Sequence, residues 1–336
     1  MKEDFQSKLF ELIKVKINNK DSLGNVLGDI LNISQDAVYR RFRGETLLTI
    51  FELKKLYDHF NISLDALFEA KANRASFEYQ PLEGYDFNMD RYLENLRDGL
   101  KMIASNANPE LILSVNNIPI LQLLNYPHLV RFKLFFWAKT HLQVPEFQDR
   151  NFNYEKISQY TFNTGLEALK IYNTIPSREI YDPELLRGLV REIYYYYESQ
   201  QFEDPNYAIY ILEVMDRFVD HLEAQAAAGK KFVSTTEPPA SGNEFEMYYN
   251  ETFNSNTTVY YKTDAISGIY IGHNQLNSLH TNESSYVEDS FGVLKKQIAN
   301  SSVISVVNEK DRKNFFSATR RAIDNCRKKI ELDMSS

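Results

Sequence analysis

Between positions 34 and 43 the chain sets Ser34, Gln35, Asp36, Tyr39, Arg40, Arg41 and Arg43. A glutamine amide carries a donor beside an acceptor, the pattern that pairs with the edge of adenine. An arginine fork carries donors that match guanine or a phosphate. Tyrosine adds a hydroxyl on an apolar ring, and aspartate only accepts hydrogen bonds. This is the chemistry of contact with a polyanion and its base edges, not of making or breaking bonds. The rest of the chain offers little to a catalyst. The six histidines, His59, His128, His141, His221, His273 and His280, show neither His-x-x-x-His nor His-Glu-x-x-His spacing. The single cysteine, Cys326, builds no internal disulfide and no cysteine metal site. No glycine-rich phosphate loop, nucleophile elbow or patterned carboxylate pair is present. The expectation is a non-enzymatic protein with no cofactor and no metal.

These side chains need a rigid mount, and the flanking residues describe one. Leu27 and Leu31 are four apart and share a helix face. Gly28 puts no side chain where a second helix must cross. Asn32 suits a left-handed helix end. Ile33 plugs the space between helices, and Ser34 caps the next one. The second helix runs from Gln35 to about Arg43, with Ala37 and Val38 inward and Gln35, Asp36, Tyr39, Arg40 and Arg43 mostly outward. Gly44 ends it. Thr49 and Glu52 form a capping box, followed by Leu53, Leu56 and Phe60 on one face. Asn61 ends that helix and Ser63 caps a last one carrying Leu64, Leu67 and Phe68. A helix of this kind fits the major groove with its N-terminal residues near the bases. Tyr39 is open to two roles, contact or packing. Asp36 is open to two as well, base contact or a favourable charge at the helix start.

Composition is that of an ordinary soluble chain: 336 residues, 43% apolar and 25% charged, with 22 Tyr and 22 Phe. A disordered chain would be poor in these aromatics. The length predicts two or three domains. A net charge of −8 argues against indiscriminate nucleic-acid binding by the whole chain. Residues 1–75 hold twelve Lys and Arg against eleven Asp and Glu, so the surplus of acid lies beyond them. An acidic body with a local basic patch suits a protein that touches DNA at one place. Residues 1–18 mix charges through their apolar positions, unlike a signal peptide. No window reaches the length of uninterrupted apolar sequence that a membrane helix needs. The expectation is a cytoplasmic protein without a membrane partner.

Residues 4–70 resemble the lambda-repressor-like helix-turn-helix domains of the xenobiotic-response-element type. The resemblance is carried by Leu27, Gly28, Leu31, Asn32, Ile33-Ser34, Val38, Gly44 and the run Phe60-Asn61-Ile62-Ser63-Leu64-Asp65-Ala66-Leu67. Tyr39-Arg40-Arg41-Phe42-Arg43-Gly44-Glu45-Thr46 is similar to a variant associated with regulators of Bacteroidetes-type bacteria. The resemblance covers about a fifth of the chain. It implies sequence-specific binding of double-stranded DNA as a homodimer on a palindromic site. Two departures stand out: Asn32 replaces the commonest turn glycine, and Arg41-Phe42 replaces an apolar residue followed by an acid. The rival reading is an adaptor that uses the same fold for protein contacts.

The fold expected is mainly α, in three parts. Residues 1–71 would be a five-helix DNA-binding domain. After a mixed link over 72–86, residues 87–228 would be all-helical, serving dimerisation or sensing. Asp182-Pro183 and Asp204-Pro205 would start two of its helices. Leu111 to Ala138 reads as buried helix, Phe132 to Trp137 as core, and Tyr194 to Tyr197 as facing something besides the core. After an exposed linker over 229–243, residues 244–336 would be a small α+β domain. Its strands are expected at 244–250 and 257–262, paired as a hairpin, with others at 268–272 and 303–307. Helices are expected at 289–299 and 311–329, the last a solvated basic helix. An unknown small-molecule or peptide effector would act through these 250 residues.

Overall fold

Phe10, Ile13, Leu27, Val38 and Leu56 are buried together without solvent contact. Four helices supply them: α1 (Phe5–Lys16), α2 (Leu23–Leu31), α3 (Gln35–Phe42) and α4 (Ile50–Phe60). The computed structural model describes residues 5–17, 22–60, 62, 75–79, 88–153, 158–252, 256–273 and 277–336. The chain divides into two compact units, residues 1–74 and 75–336. The fifth helix expected from Ser63 lies outside the described residues.

Local chemistry sets the helix ends of the first unit. Ser22 caps α2 by accepting from the Asn25 N–H at 3.1 Å. Asn32 closes α2 in the left-handed region, φ 57°, and its N–H donates to the Gly28 carbonyl. A Cβ on Gly28 would stand 3.0 Å from the Ile33 carbonyl oxygen, so the turn closes over a residue without a side chain. Ser34 caps α3 by accepting from the Ala37 N–H. Thr49 and Glu52 satisfy each other's backbone N–H groups at 2.8 and 3.2 Å, which starts α4.

The second unit is a mixed α/β fold, and this corrects the expectation of a mainly α chain with a small α+β domain at its end. Among the described residues its sheet has seven strands in the order β6-β5-β4-β1-β2-β3-β7. They are β1 (Glu110–Val115), β2 (Ser177–Tyr181), β3 (Phe245–Tyr249), β4 (Thr258–Lys262), β5 (Ser267–His273), β6 (Asn277–Thr281) and β7 (Ser302–Val303). β1, β2 and β3 run parallel, and the remaining pairs are antiparallel. Two strands therefore come from the segment expected to be all-helical. β1 is an unbroken run buried on both faces, and such a run shows the same lack of periodicity as a buried helix. β3 and β4, expected as a hairpin, are kept apart by β1 and β2. The hairpin is instead β4 with β5.

Because β1 and β2 pair with β4 and β3, residues 87–228 and 244–336 share one sheet and one unit. The stretch 229–243 is a loop of that unit. Its neck is closed by the Lys231 N–H donating to the Asn243 carbonyl at 2.8 Å, and Lys231 and Phe232 are buried.

Helices cover both sheet faces. One face carries Leu111, Leu113 and Val115 into the large core. Around it pack α5 (Met89–Ala104), α6 (Ile120–Leu123), α7 (Pro127–Phe136) with its π-turn Trp137–His141, α8 (Pro145–Gln148), α9 (Gln159–Thr174), α10 (Leu185–Glu198) and α11 (Asn206–Ala228). The opposite face carries Ile112, Tyr260 and Ile269 against Val287 and Leu294 of α12 (Ser284–Ala299). Asp182 and Asp204 accept from the N–H groups of Glu184 and Asn206 in the turns before α10 and α11, but the N-cap positions fall on Glu184 and Pro205, so the two aspartates are not the caps expected. Phe132 makes edge-to-face contacts with Phe152 and Tyr196 and stacks on Phe202. Each such ring contributes roughly 1.5–3 kcal/mol by leaving water.

The last helix, α13 (Glu309–Met334), packs against α10 and α11. It is not a solvated basic rod. Arg320 pairs with Asp220 and Glu223, each at 2.6 Å, and Arg327 pairs with Asp216. Lys329 lies 4.0 Å above the Tyr194 ring, and the Tyr197 hydroxyl donates to Asp333 at 2.8 Å. The tyrosine run thus faces three ways: Tyr196 into the core, Tyr194 and Tyr197 towards α13, and Tyr195 into solvent. Among the described residues no helix is long and apolar enough to cross a membrane.

Candidate nucleic-acid interface

The exposed face of α3 follows from where its apolar residues go. Val38 is fully buried, and Phe42 packs edge-on against Phe10 with ring centroids 5.7 Å apart. At about 100° of turn per residue, Gln35, Asp36, Tyr39, Arg40 and Arg43 then fall within one outward arc of about 140°. All five are exposed. Ser34, also exposed, is occupied in capping the helix.

Each arginine of this segment has a carboxylate partner. Arg40 Nε meets Asp36 Oδ2 at 3.0 Å, one helical turn back. Arg43 Nε meets Glu45 Oε1 at 2.6 Å. That contact raises the Arg43 pKa and lowers that of Glu45, the hydrogen bond being the main cause in both. Both pairs are well exposed, so they exchange readily for other partners.

Arg41 is placed differently. Its guanidinium turns inward to Glu52 at 2.8 and 3.3 Å and to the Ala37 carbonyl at 3.1 Å. Only 14% of the Arg41 side chain and 13% of the Glu52 side chain meet solvent. Arg41 therefore clamps α3 to the capping box of α4. Burial acts to raise the Glu52 pKa, but hydrogen bonds from Thr49 and Arg41 outweigh it and hold the carboxyl below its ordinary range. Its contribution to stability is present above the unfolded-state pKa and is lost as pH falls through the lowered folded value. Glu52→Ala is expected to loosen the first unit by about 1–3 kcal/mol, through loss of the cap and of a charged partner. Amide hydrogen exchange is the check. Residues 35–60 should exchange faster while residues 88–228 keep their protection, and unchanged rates across 35–60 would refute the clamp.

Three supporting residues escaped the sequence reading. Asn25 of α2 accepts a hydrogen bond from the Gln35 amide and so orients it. Gly24 lies under Tyr39, where a Cβ would come within 2.9 Å of the ring. Tyr39, 38% exposed, thus packs across α2 on one side and faces solvent on the other. Gln6 of α1 bonds the Arg41 and Thr46 carbonyls at 2.7 and 2.8 Å and accepts from the Leu48 N–H at 2.8 Å, which pins the loop after α3. The cap spacing around Ser22 places Asn25 in the first turn of α2, but its reach across ten positions to Gln35 is a tertiary fact. Between α2 and the start of α3 lies an open groove of about 590 Å³ that takes in Asn25, Asp29 and Gln35.

The second unit holds a different kind of polar cluster, closed off from solvent. Glu179 of β2 is fully buried. It accepts from Ser177 Oγ at 2.8 Å, from the Tyr181 hydroxyl at 2.7 Å and from the Tyr172 hydroxyl. Lys231 is fully buried beside it, its ammonium 2.5 Å from the Ile175 carbonyl and 3.8 Å from the centre of the Tyr172 ring. Burial pushes the Lys231 pKa down to about 7, and Glu179 partly offsets this. Burial likewise pushes His221 down to about 4, opposed by a hydrogen bond with the Phe232 backbone. Gln225 links His221 to Gln122, while its own Oε1 meets no donor. Two of these groups, Lys231 and Phe232, come from the loop expected to be an exposed linker.

Among the described residues no three His, Cys, Asp or Glu side chains gather as metal ligands. No family model matches the chain, and no curated protein matches it.

Proposed function

We propose that the chain is a sequence-specific, double-stranded-DNA-binding transcription regulator that enters the major groove with α3. The observation that carries this reading is the outward arc of α3. Gln35, Asp36, Tyr39, Arg40 and Arg43 project together from a helix anchored by Val38, Phe42 and the Arg41–Glu52 clamp. A helix fixed on one side and lined with base- and phosphate-seeking groups on the other suits groove insertion. Asn25 would hold the Gln35 amide with its acceptor oxygen free for a base. Arg43 would exchange Glu45 for a phosphate, Arg40 would stay beside Asp36 and reach a base edge, and Arg41 would act indirectly by holding the helix. Action as a homodimer in the cytoplasm, and control by an effector acting on residues 75–336, complete the proposal. The dimer rests on the resemblance of residues 4–70.

The test is selection of genomic fragments by the purified chain, followed by footprinting at physiological salt. The expected result is a protected palindrome whose half-sites lie about one helical turn apart. Failure to enrich any sequence would refute the reading.

One observation favours the adaptor reading as an alternative. Leu47, Ile50 and Phe51, close in sequence to α3, are 75, 77 and 78% exposed, and exposed apolar groups of this kind serve protein contacts. Retention on duplex DNA separates the two readings, since phosphate-mediated binding falls steeply as salt rises.

A further inference from the structure

The geometry points to Asp36, held by Arg40, as the residue that selects one cytosine–guanine base pair in the DNA site. This inference rests on the DNA reading above and asks what the middle of the α3 face would recognise. Asp36 lies near the centre of the outward arc, flanked by Gln35, Arg40 and Arg43. Its side chain is 69% exposed and its carboxylate meets Arg40 Nε at 3.0 Å.

A carboxylate entering a groove walled by phosphates is unfavourable unless it meets a donor, because it can only accept. The major groove offers two base donors, the N4 amino group of cytosine and the N6 amino group of adenine. The adenine amino group has a single acceptor on either side, its own N7 and thymine O4, so no adjacent pair of acceptors is left beside it for an arginine fork. In a cytosine–guanine pair the N4 donor lies instead beside the O6 and N7 acceptors of guanine. Asp36 and Arg40 present the complement of that pattern: one acceptor group next to an arginine fork, held side by side across one helical turn. Gln35, whose amide is already oriented by Asn25, is left to the neighbouring pair.

A plain structural role would look different. Asp36 also lies in the first turn of α3, where a negative charge favours the helix, and a pair four residues apart adds a little more. If that were its whole role, removing it would take a negative charge away from the phosphates and tighten binding to every sequence alike.

The experiment selects from a random duplex library with the full chain and with its Asp36→Ala and Asp36→Asn variants. Affinities are then measured on the selected duplex and on versions changed at one base pair each. Asp36 is exposed, so the variants are expected to fold, and circular dichroism melting checks this. The wild type should prefer cytosine–guanine at one position of each half-site, by roughly 5- to 150-fold over other pairs. Asp36→Ala should lose that preference while keeping the others. Asp36→Asn, with a donor added beside its acceptor, should move it towards adenine. Unchanged preferences in Asp36→Ala, with uniformly tighter binding, would overturn the inference and leave Asp36 a helix-start charge. Wild-type binding without preference at any cytosine–guanine position would overturn it as well. If the wild type does not bind duplex DNA at all, the DNA reading itself falls, and this inference falls with it.

Discussion

Replacing Arg40 and Arg43 together by alanine is expected to abolish specific DNA binding at physiological salt. Each expected guanidinium contact, to guanine for Arg40 and to a phosphate for Arg43, is a charge-assisted hydrogen bond, worth about 1.5–3 kcal/mol. Losing two therefore weakens binding by roughly a hundredfold or more. The structure makes the loss larger still. In the free protein Arg40 neutralises Asp36 and Arg43 neutralises Glu45. The double variant leaves both carboxylates facing the phosphates unpaired. Because a phosphate contact releases counterions, the slope of log affinity against log salt should flatten by about one unit, for the phosphate met by Arg43. Both arginines are exposed and neither touches the core, so melting of the first unit should change little. Fluorescence anisotropy on the footprinted duplex across a salt series reads affinity and slope together. An unchanged slope and an unchanged affinity, with the fold intact, would mean that neither arginine meets DNA, and the adaptor reading would move ahead.

The contrast with Arg41 explains what sequence could and could not say about this surface. Three arginines within four positions look equivalent in a list of residues. Their fates are set by the helix turn: Val38 and Phe42 fix which side is inward, and Arg41 lies next to that side while Arg40 and Arg43 do not. The inward residues were legible from their apolar character, and so were the caps at Ser34, Thr49 and Glu52, because capping is local chemistry over three residues. What escaped were contacts between elements far apart in sequence. Asn25 to Gln35, Gly24 under Tyr39 and Gln6 on the Arg41 carbonyl depend on how α1, α2 and α3 cross.

The second unit was less legible for a related reason. The Asp-Pro steps at 182 and 204 are local signals, and α10 and α11 begin one or two residues past the expected starts, without the aspartate caps. The strands β1 and β2 carry no such signal. Leu111-Ile112-Leu113 is apolar on both sides because helices cover both faces of the sheet, so alternation disappears. Parallel pairing joins strands separated by long crossovers, and nothing near Val115 announces that Tyr181 will lie beside it. The Pro- and Gly-bearing stretch around 229–243 looked like a domain boundary because turn residues mark any loop. The pairing of β1 and β2 with β4 and β3, the burial of Lys231 and the closed neck at Asn243 show that it belongs to one unit.

Glu179→Leu is expected to be the most damaging single change in that unit. Three hydroxyl donors, from Tyr172, Ser177 and Tyr181, would lose their acceptor in a closed core, and Lys231 would lose its counter-charge. Breaking a buried, hydrogen-bonded charge cluster from one side costs about 3–5 kcal/mol. That is a large share of the total stability of a typical domain. The only tryptophan of the chain, Trp137, is buried in this unit's core, so its fluorescence in a urea titration reports on this unit alone. A shift of less than about 1 kcal/mol would show that the hydroxyls find other partners.

The lysine adds a signature in pH that a packing role would not give. Its folded pKa is lowered to about 7 from an ordinary 10.5. Between those two values the unfolded chain binds a proton that the folded chain does not. By linkage, stability rises with pH across that window, and below it the folded state carries a buried ammonium at a cost. The wild type should therefore gain resistance to urea from pH 7 towards about pH 9, before unfolded tyrosines begin to ionise. Lys231→Met should flatten that rise, whatever its effect on stability at one pH, because no other group in the cluster exchanges a proton in that direction there. His221, pushed to about 4, is neutral in both states over this range. Tyr172 and Tyr181, pushed well above 10, keep their protons in the fold while unfolded tyrosines begin to lose theirs, so they oppose the rise at its upper end in wild type and variant alike. Parallel curves for wild type and Lys231→Met would mean that Lys231 keeps its proton in the fold throughout, with Glu179 and the Ile175 carbonyl sufficient to hold the charge.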